Sequence, residues 1–137
     1  MKKRFLYLIL PAVTLILEIL PYGAVLNFAR PATDGSIGHF RELYSYFDLT
    51  PFGYANFAPF ITAVMSCVIF LMLLIYCITD KRRFAVIARN ILWGCAVVSL
   101  GPLVLGVRYF SAIGLLITLT IIGELLLLHR DVKRARK

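Results

Sequence analysis

Runs of apolar residues long enough to cross a bilayer leave this chain few folds to choose from. They cover about residues 5–28, 59–79, 84–106 and 109–128. A helix needs ~20 apolar residues to cross ~30 Å of hydrocarbon. Lipid offers no water to an open backbone, so only helices and closed barrels span it. The ~10-residue alternating segments of a barrel are not seen. The expectation is therefore an all-α integral membrane protein: one membrane domain over residues 1–137, built as a four-transmembrane-helix bundle. Composition agrees, since 61% of the residues are apolar, 16% are charged and mean hydropathy is +0.86. A soluble domain of this length could not hide so much apolar surface.

The net charge of +8 is not spread evenly. Bases cluster at Lys2, Lys3 and Arg4, at Lys81, Arg82 and Arg83, and in the basic tail at 129–137, through Arg130, Lys133, Arg134, Arg136 and Lys137. Arg30, Arg41 and Arg108 are the bases on the opposite side. Lysine and arginine accumulate in cytoplasmic loops, so both termini are expected in the cytoplasm of a multi-pass protein. The partners implied are the lipid bilayer and, at the basic face, anionic headgroups, each nearby base adding ~1 kcal/mol. No nucleic-acid-reading fold accompanies the bases, and none is expected as a partner. The first 25 residues also resemble a signal peptide, with a basic start and small residues at Gly23 and Ala24. The run is long for a signal, and Glu18 interrupts it, so an uncleaved first span is expected.

Residues 30–58 form the one sizeable segment outside the membrane. Pro31 to Gly35 are turn formers, and Ser36 is placed as a helix N-cap. Ile37, Phe40, Leu43, Tyr44 and Phe47 recur at helical spacing, which predicts a short amphipathic helix lying in the interface. Pro51 and Gly53 then break it, and Tyr54, Phe57 and Phe60 lead into the second span. These rings fit an aromatic belt; a lid over a cavity and a docking surface are the other readings.

The stretch Tyr44-Ser45-Tyr46-Phe47-Asp48-Leu49-Thr50-Pro51-Phe52-Gly53-Tyr54-Ala55-Asn56-Phe57, with the basic start and Leu20-Pro21-Tyr22-Gly23-Ala24-Val25, resembles small four-span bacterial membrane proteins. The resemblance covers about a third of the chain. It implies a bacterial cytoplasmic membrane and brings no activity with it.

Ionisable residues inside a span cost roughly 2.5–3.5 kcal/mol on insertion scales unless paired or neutralised. Glu18, Arg89 and Glu124 fall in this class. Arg89 and Glu124 lie ~6–8 Å from the same end of two antiparallel neighbours, at ~1.5 Å per residue. A structural ion pair between them, with Tyr76 nearby, is expected; a lone Arg89 could instead snorkel. Glu18 lies ~20 Å from the cytoplasmic end. Thr14 and Tyr22 share its expected helix face, and Ser66, Ser99 and Thr118 share its depth. That makes a polar layer in which a carboxyl with no base at its level is cheapest in a neutral, hydrogen-bonded form. The layer is the candidate proton, ion or ligand site; the alternative is a purely structural hydrogen bond.

Asn90, Gly94 and Gly101 fall on one stripe of the third span, with Val97 as its bulky member, and predict a packed, central helix. Cys67, Cys77 and Cys95 all sit in apolar runs, at no metal-ligand spacing, and read as buried small hydrophobes. His39 and His129 fall on opposite sides of the membrane. No nucleophile with a base, phosphate loop or metal cluster is present, so neither a catalytic residue, a metal nor a cofactor is expected.

Two functional classes follow. The first is a non-enzymatic accessory, stabilising or partner-binding component, with a second copy or another membrane protein as partner. The second is a small oligomeric transporter, proton- or cation-coupled through Glu18. It is similar to small multidrug transporters in having four spans and one acid in the first, but those lack so long an outer segment.

Overall fold

The computed structural model describes residues 5–31, 37–49 and 56–134. The first basic cluster, the expected N-cap Ser36 and the breakers Pro51 and Gly53 lie outside the described residues. What is described is mostly helical. α1 (Ile9–Ile19) follows a 3-10 turn at Leu6–Leu8, and β1 (Ala24–Pro31) and β2 (Ile37–Tyr44) come next. The rest is α2 (Ala58–Thr79), α3 (Arg82–Ser99), α4 (Gly101–Leu105) and α5 (Ala112–Arg134). Three helical stretches are long and apolar enough to cross a membrane: α2, the α3–α4 stretch, and α5.

Local chemistry sets the ends of these helices. Pro59 sits in the first turn of α2, where its missing N–H costs nothing. Asp80 ends that helix in the left-handed region (φ 57°), and its N–H reaches the Tyr76 carbonyl at 3.0 Å. The chain then reverses directly into α3. Leu100 breaks α3 from α4 with ψ near −6°, two residues ahead of Pro102, which offers no N–H back to the preceding turn. Gly106 (φ 123°) adopts a backbone conformation that side-chain-bearing residues avoid. It turns the chain into the 3-10 turn Val107–Tyr109. Ser111 opens α5 by accepting the Gly114 N–H on its Oγ at 2.8 Å.

Two expectations are corrected. The first apolar run does not stay helical to Phe28. Leu20 precedes Pro21, a position that disfavours the α region, and it is extended (ψ 136°). The helical part, Leu6–Ile19, is ~21 Å long at ~1.5 Å per residue, short of a ~30 Å hydrocarbon layer. Val25 and Leu26 then enter a strand. The segment from Ile37 is likewise not an amphipathic helix. It is β2, paired antiparallel with β1 from Ala24↔Tyr44 to Pro31↔Ile37. Its apolar residues fit a 3.6-residue period, but pairing with β1 along all eight of its residues decides the matter. Phe28 stacks on Phe40 across the pair, with ring centroids 5.5 Å apart.

α3 packs between α2 and α5, and α1 lies against α5 and α2. Among these four helices α3 touches two, as α1, α2 and α5 each do, so it is not the central helix that the stripe predicted, and the stripe is not its packing face. Ala85, Ala88, Leu92, Cys95 and Ser99 turn inward, whereas Asn90, Gly94 and Val97 are exposed. Of that stripe, Gly101 makes the tight approach: a Cβ there would stand 2.7 Å from the Ala58 Cβ. Ile69, Leu73, Leu92, Ile117 and Ile121 fill the core, and Cys77 and Cys95 are buried with them while Cys67 is exposed. Ile16, Leu71, Val97 and Leu126 point outward, as lipid-facing side chains do.

Candidate functional site at the buried carboxyls

α1 and α5 run antiparallel and each carries one buried acid. Glu18 is completely buried near the hairpin end of α1. Ser66 Oγ, from α2, donates to Glu18 Oε1 at 2.7 Å, while Oε2 has no hydrogen-bond partner. Ser66 also lies 4.0 Å from the Cys95 sulfur of α3, which reaches the Thr62 carbonyl at 3.9 Å. Glu124, on α5, is 5% exposed and leaves Oε1 unpartnered.

Between the acids stands a threonine pair, Thr14 Oγ1 donating to Thr120 Oγ1 at 2.9 Å. Each threonine is one turn before the acid of its own helix. The chain thus carries the same spacing twice, Thr14-x-x-x-Glu18 and Thr120-x-x-x-Glu124. Thr120 is the residue sequence reasoning missed, and this repeated spacing is the signal that finds it. In antiparallel helices residues four apart share a face, so facing threonines leave their acids ~6 Å away in opposite directions along the axis.

The expected polar layer is assembled only in part. Ser66 meets Glu18, whereas Thr14 turns to Thr120 and to its own Leu10 carbonyl. Thr118 and Ser99 are buried but donate to Gly114 and Ala96, carbonyls of their own helices. Tyr22 is 55% exposed, because α1 has ended before it and the shared face no longer exists. Arg89 is not placed with Glu124. Its Nε and Nη2 donate to the Asn90 side-chain oxygen at 3.3 and 2.9 Å, while Glu124 faces Leu73 and Tyr7. Tyr76 lines a separate hollow of about 260 Å³ with Tyr7, Asp80, Arg82 and Asp131.

This separation carries a prediction. A double-mutant cycle of Arg89→Gln and Glu124→Gln, read by unfolding in mixed micelles, should be additive to within about 0.5 kcal/mol. Coupling of about 1 kcal/mol or more would restore the ion pair.

At the hairpin end the outer segment closes over α1. Ser45 Oγ and the Tyr46 N–H both donate to the Glu18 carbonyl oxygen, each at 2.9 Å, and satisfy a helix-end acceptor. Burial pushes the Tyr46 phenol up, and negative charge on Glu18 adds to it. Beside them, Asn56 is 5% exposed, with both side-chain polar atoms unpartnered. It lines a small cavity with Ser45, Asp48 and Tyr44.

No group of three or more metal-ligating side chains occurs among the described residues. Comparison with protein-family models, curated proteins and solved structures gives no match.

Proposed function

We propose that this chain is a non-enzymatic, accessory component of a bacterial cytoplasmic membrane that engages another membrane protein through its outer hairpin. Both termini are cytoplasmic in this reading, and the basic inner face rests on anionic headgroups. The observation that supports it is β2. Among the described residues it pairs with β1 alone, and Ile37, Phe40 and Leu43 stand 70%, 41% and 42% exposed along it. A strand with one unpaired edge is a template for a partner strand, and its side chains supply selectivity.

The test has two arms. A reporter fused after Lys137 is expected to read cytoplasmic, and one inserted near Asp34 external. The chain extracted in mild detergent is expected to migrate as a complex with a second protein. Ile37→Asp with Phe40→Asp should collapse that complex to the lone chain without changing helix content. A wild-type chain that migrates alone, a complex containing this chain only, or one that survives both substitutions overturns the reading.

A second reading is favoured by one observation, the unpartnered Oε2 of a fully buried Glu18. Intramembrane acids mark proton and ion pathways, so the alternative is a small oligomeric, proton- or cation-coupled transporter that depends on Glu18.

A further inference from the structure

We propose that Glu124, Thr120, Thr14, Glu18 and Ser66 form a proton path through the helices, opening at one end to the hollow beside Asp80 and at the other beneath the hairpin. The proposal rests on the second reading of Glu18 and extends it to a second acid, to a direction and to a ligand, the proton.

The path is argued from the wide end inward. The hollow of about 260 Å³ at the junction of α2, α3 and α5 is lined by Asp80, Arg82, Asp131 and Tyr76. It shares Tyr7 and Leu128 with a second, smaller cavity, and that one is lined by Glu124. The smaller cavity has about 10 Å³ of room, close to what one water needs. Its other walls are leucines, so Glu124 and Tyr7 are the polar residues that line it.

From Glu124 the next polar group along α5 is Thr120, and it is already bonded across to Thr14. Thr120 also donates to the Ile117 carbonyl at 2.8 Å, so its hydroxyl must turn from that carbonyl toward Thr14 for the pair to exchange donor and acceptor roles and pass a proton. Thr14 is one turn from Glu18 on α1. There Oε2 is free to take a proton while Ser66 holds Oε1. Beyond Glu18 the outer segment places Ser45 on its backbone oxygen. Ser45 also lines the cavity of Asn56 and Asp48, which again has about 10 Å³ of room. Both Asn56 polar atoms are unpartnered there, and they are the groups a water would bind.

Titratable groups within electrostatic reach of Glu18 include Tyr46 of the outer segment, Cys67 of α2, Cys95 of α3 and Glu124 of α5. None of these is a base. No hydrogen bond from a lysine or arginine reaches either carboxyl among the described residues. A carboxyl held that way in a low-dielectric interior has no fixed counter-charge and can load and unload protons as its neighbours change. The transfer is a proton hop between oxygens, each accepting one proton and releasing one, with no electron transfer.

The experiment is proton uptake by proteoliposomes that enclose a pH-sensitive dye, driven by a potassium-diffusion potential. Wild type is expected to raise uptake at least about tenfold over empty vesicles. Glu18→Gln and Glu124→Gln should each return it to the empty-vesicle rate. Thr120→Val should lower it about tenfold, and Thr120→Ser should restore it, since serine keeps the hydroxyl. Leu119→Ala, on the exposed face of α5, is the control and should leave uptake unchanged. Each variant is checked for helix content and size in detergent, and the valine–serine pair distinguishes a lost hydroxyl from a lost fold. Wild-type vesicles no leakier than empty ones overturn the proposal. Loss with Glu18→Gln but not with Glu124→Gln overturns the path and leaves the Glu18 reading standing. Wild-type uptake in Glu18→Gln removes both.

Discussion

Tyr46→Ala is expected to cost about 3–5 kcal/mol of stability, the range for emptying a buried aromatic site. The ring is 2% exposed and lies where the outer segment meets the helices. Two glycines make its slot. A Cβ at Gly23 would stand 2.8 Å from the ring Cδ1, and one at Gly114 would stand 3.2 Å from its hydroxyl oxygen. The slot is further fixed by Ser111 Oγ, which donates to the Gly23 carbonyl at 2.6 Å. Removing the ring leaves a gap lined by Gly23 and Gly114, and glycine has no side chain with which to collapse into it. The backbone bond from Tyr46 to the Glu18 carbonyl then loses its anchor. Two readouts are expected to move together: the unfolding midpoint in mixed micelles, and the rate of protease cleavage in the segment after the hairpin. Tyr46→Phe keeps the packing and should lose about 1 kcal/mol or less. Gly23→Val approaches the problem from the other side and should cost about 1–3 kcal/mol by overpacking. Most of that cost should vanish when combined with Tyr46→Ala. A Tyr46→Ala loss below about 1 kcal/mol would show that the ring merely covers the helix end.

How much of this was legible in the sequence depends on whether the signal is local. The long helices follow from continuous apolar runs, because in lipid a backbone must satisfy itself and length alone limits the options. α2 is found within a residue of its expected start, aided by Pro59. The first run misled because Leu20-Pro21 is a backbone instruction inside an apolar stretch; composition says membrane, while proline says stop. β2 misled for a different reason. Ile37, Phe40, Leu43 and Tyr44 fit the helical period, and the evidence for a strand lies in residues 24–31, which pair with it from a distance. The site shows the same division. That Glu18 and Glu124 are costly was readable one residue at a time. Which groups face them was not, because helix rotation is set by packing. With Asn90 and Gly94 turned outward, Arg89 bonds to its neighbour Asn90 and not to Glu124. Thr120 was within reach of the sequence through the repeated Thr-x-x-x-Glu spacing, a signal that depends on comparing the first helix with the last.

The sharpest test of why the acid is buried compares two variants expected to differ in sign. Ser66→Ala removes the one donor that serves the Glu18 carboxyl and leaves Oε1 desolvated beside an already unpartnered Oε2. A buried acceptor stripped of its partner costs about 1–3 kcal/mol, so this variant should be less stable by that amount. Glu18→Met with Ser66→Ala removes both halves of the contact and puts an apolar side chain of similar length into the space. Replacing both partners of a buried hydrogen bond with apolar groups of similar shape can be nearly neutral or stabilising. The double variant should therefore be at least as stable as wild type, though it carries one more substitution than the weaker single variant. The comparison is made by unfolding midpoints in the same mixed micelles, with proton uptake measured on the same preparations. Recovered stability with uptake at the empty-vesicle rate would mean that the carboxyl is retained at the expense of stability, as groups at functional sites often are. A double variant less stable than Ser66→Ala would reverse the argument. Glu18 would then hold α1 against α2 as a structural hydrogen bond, and the partner-binding reading would carry the function without it.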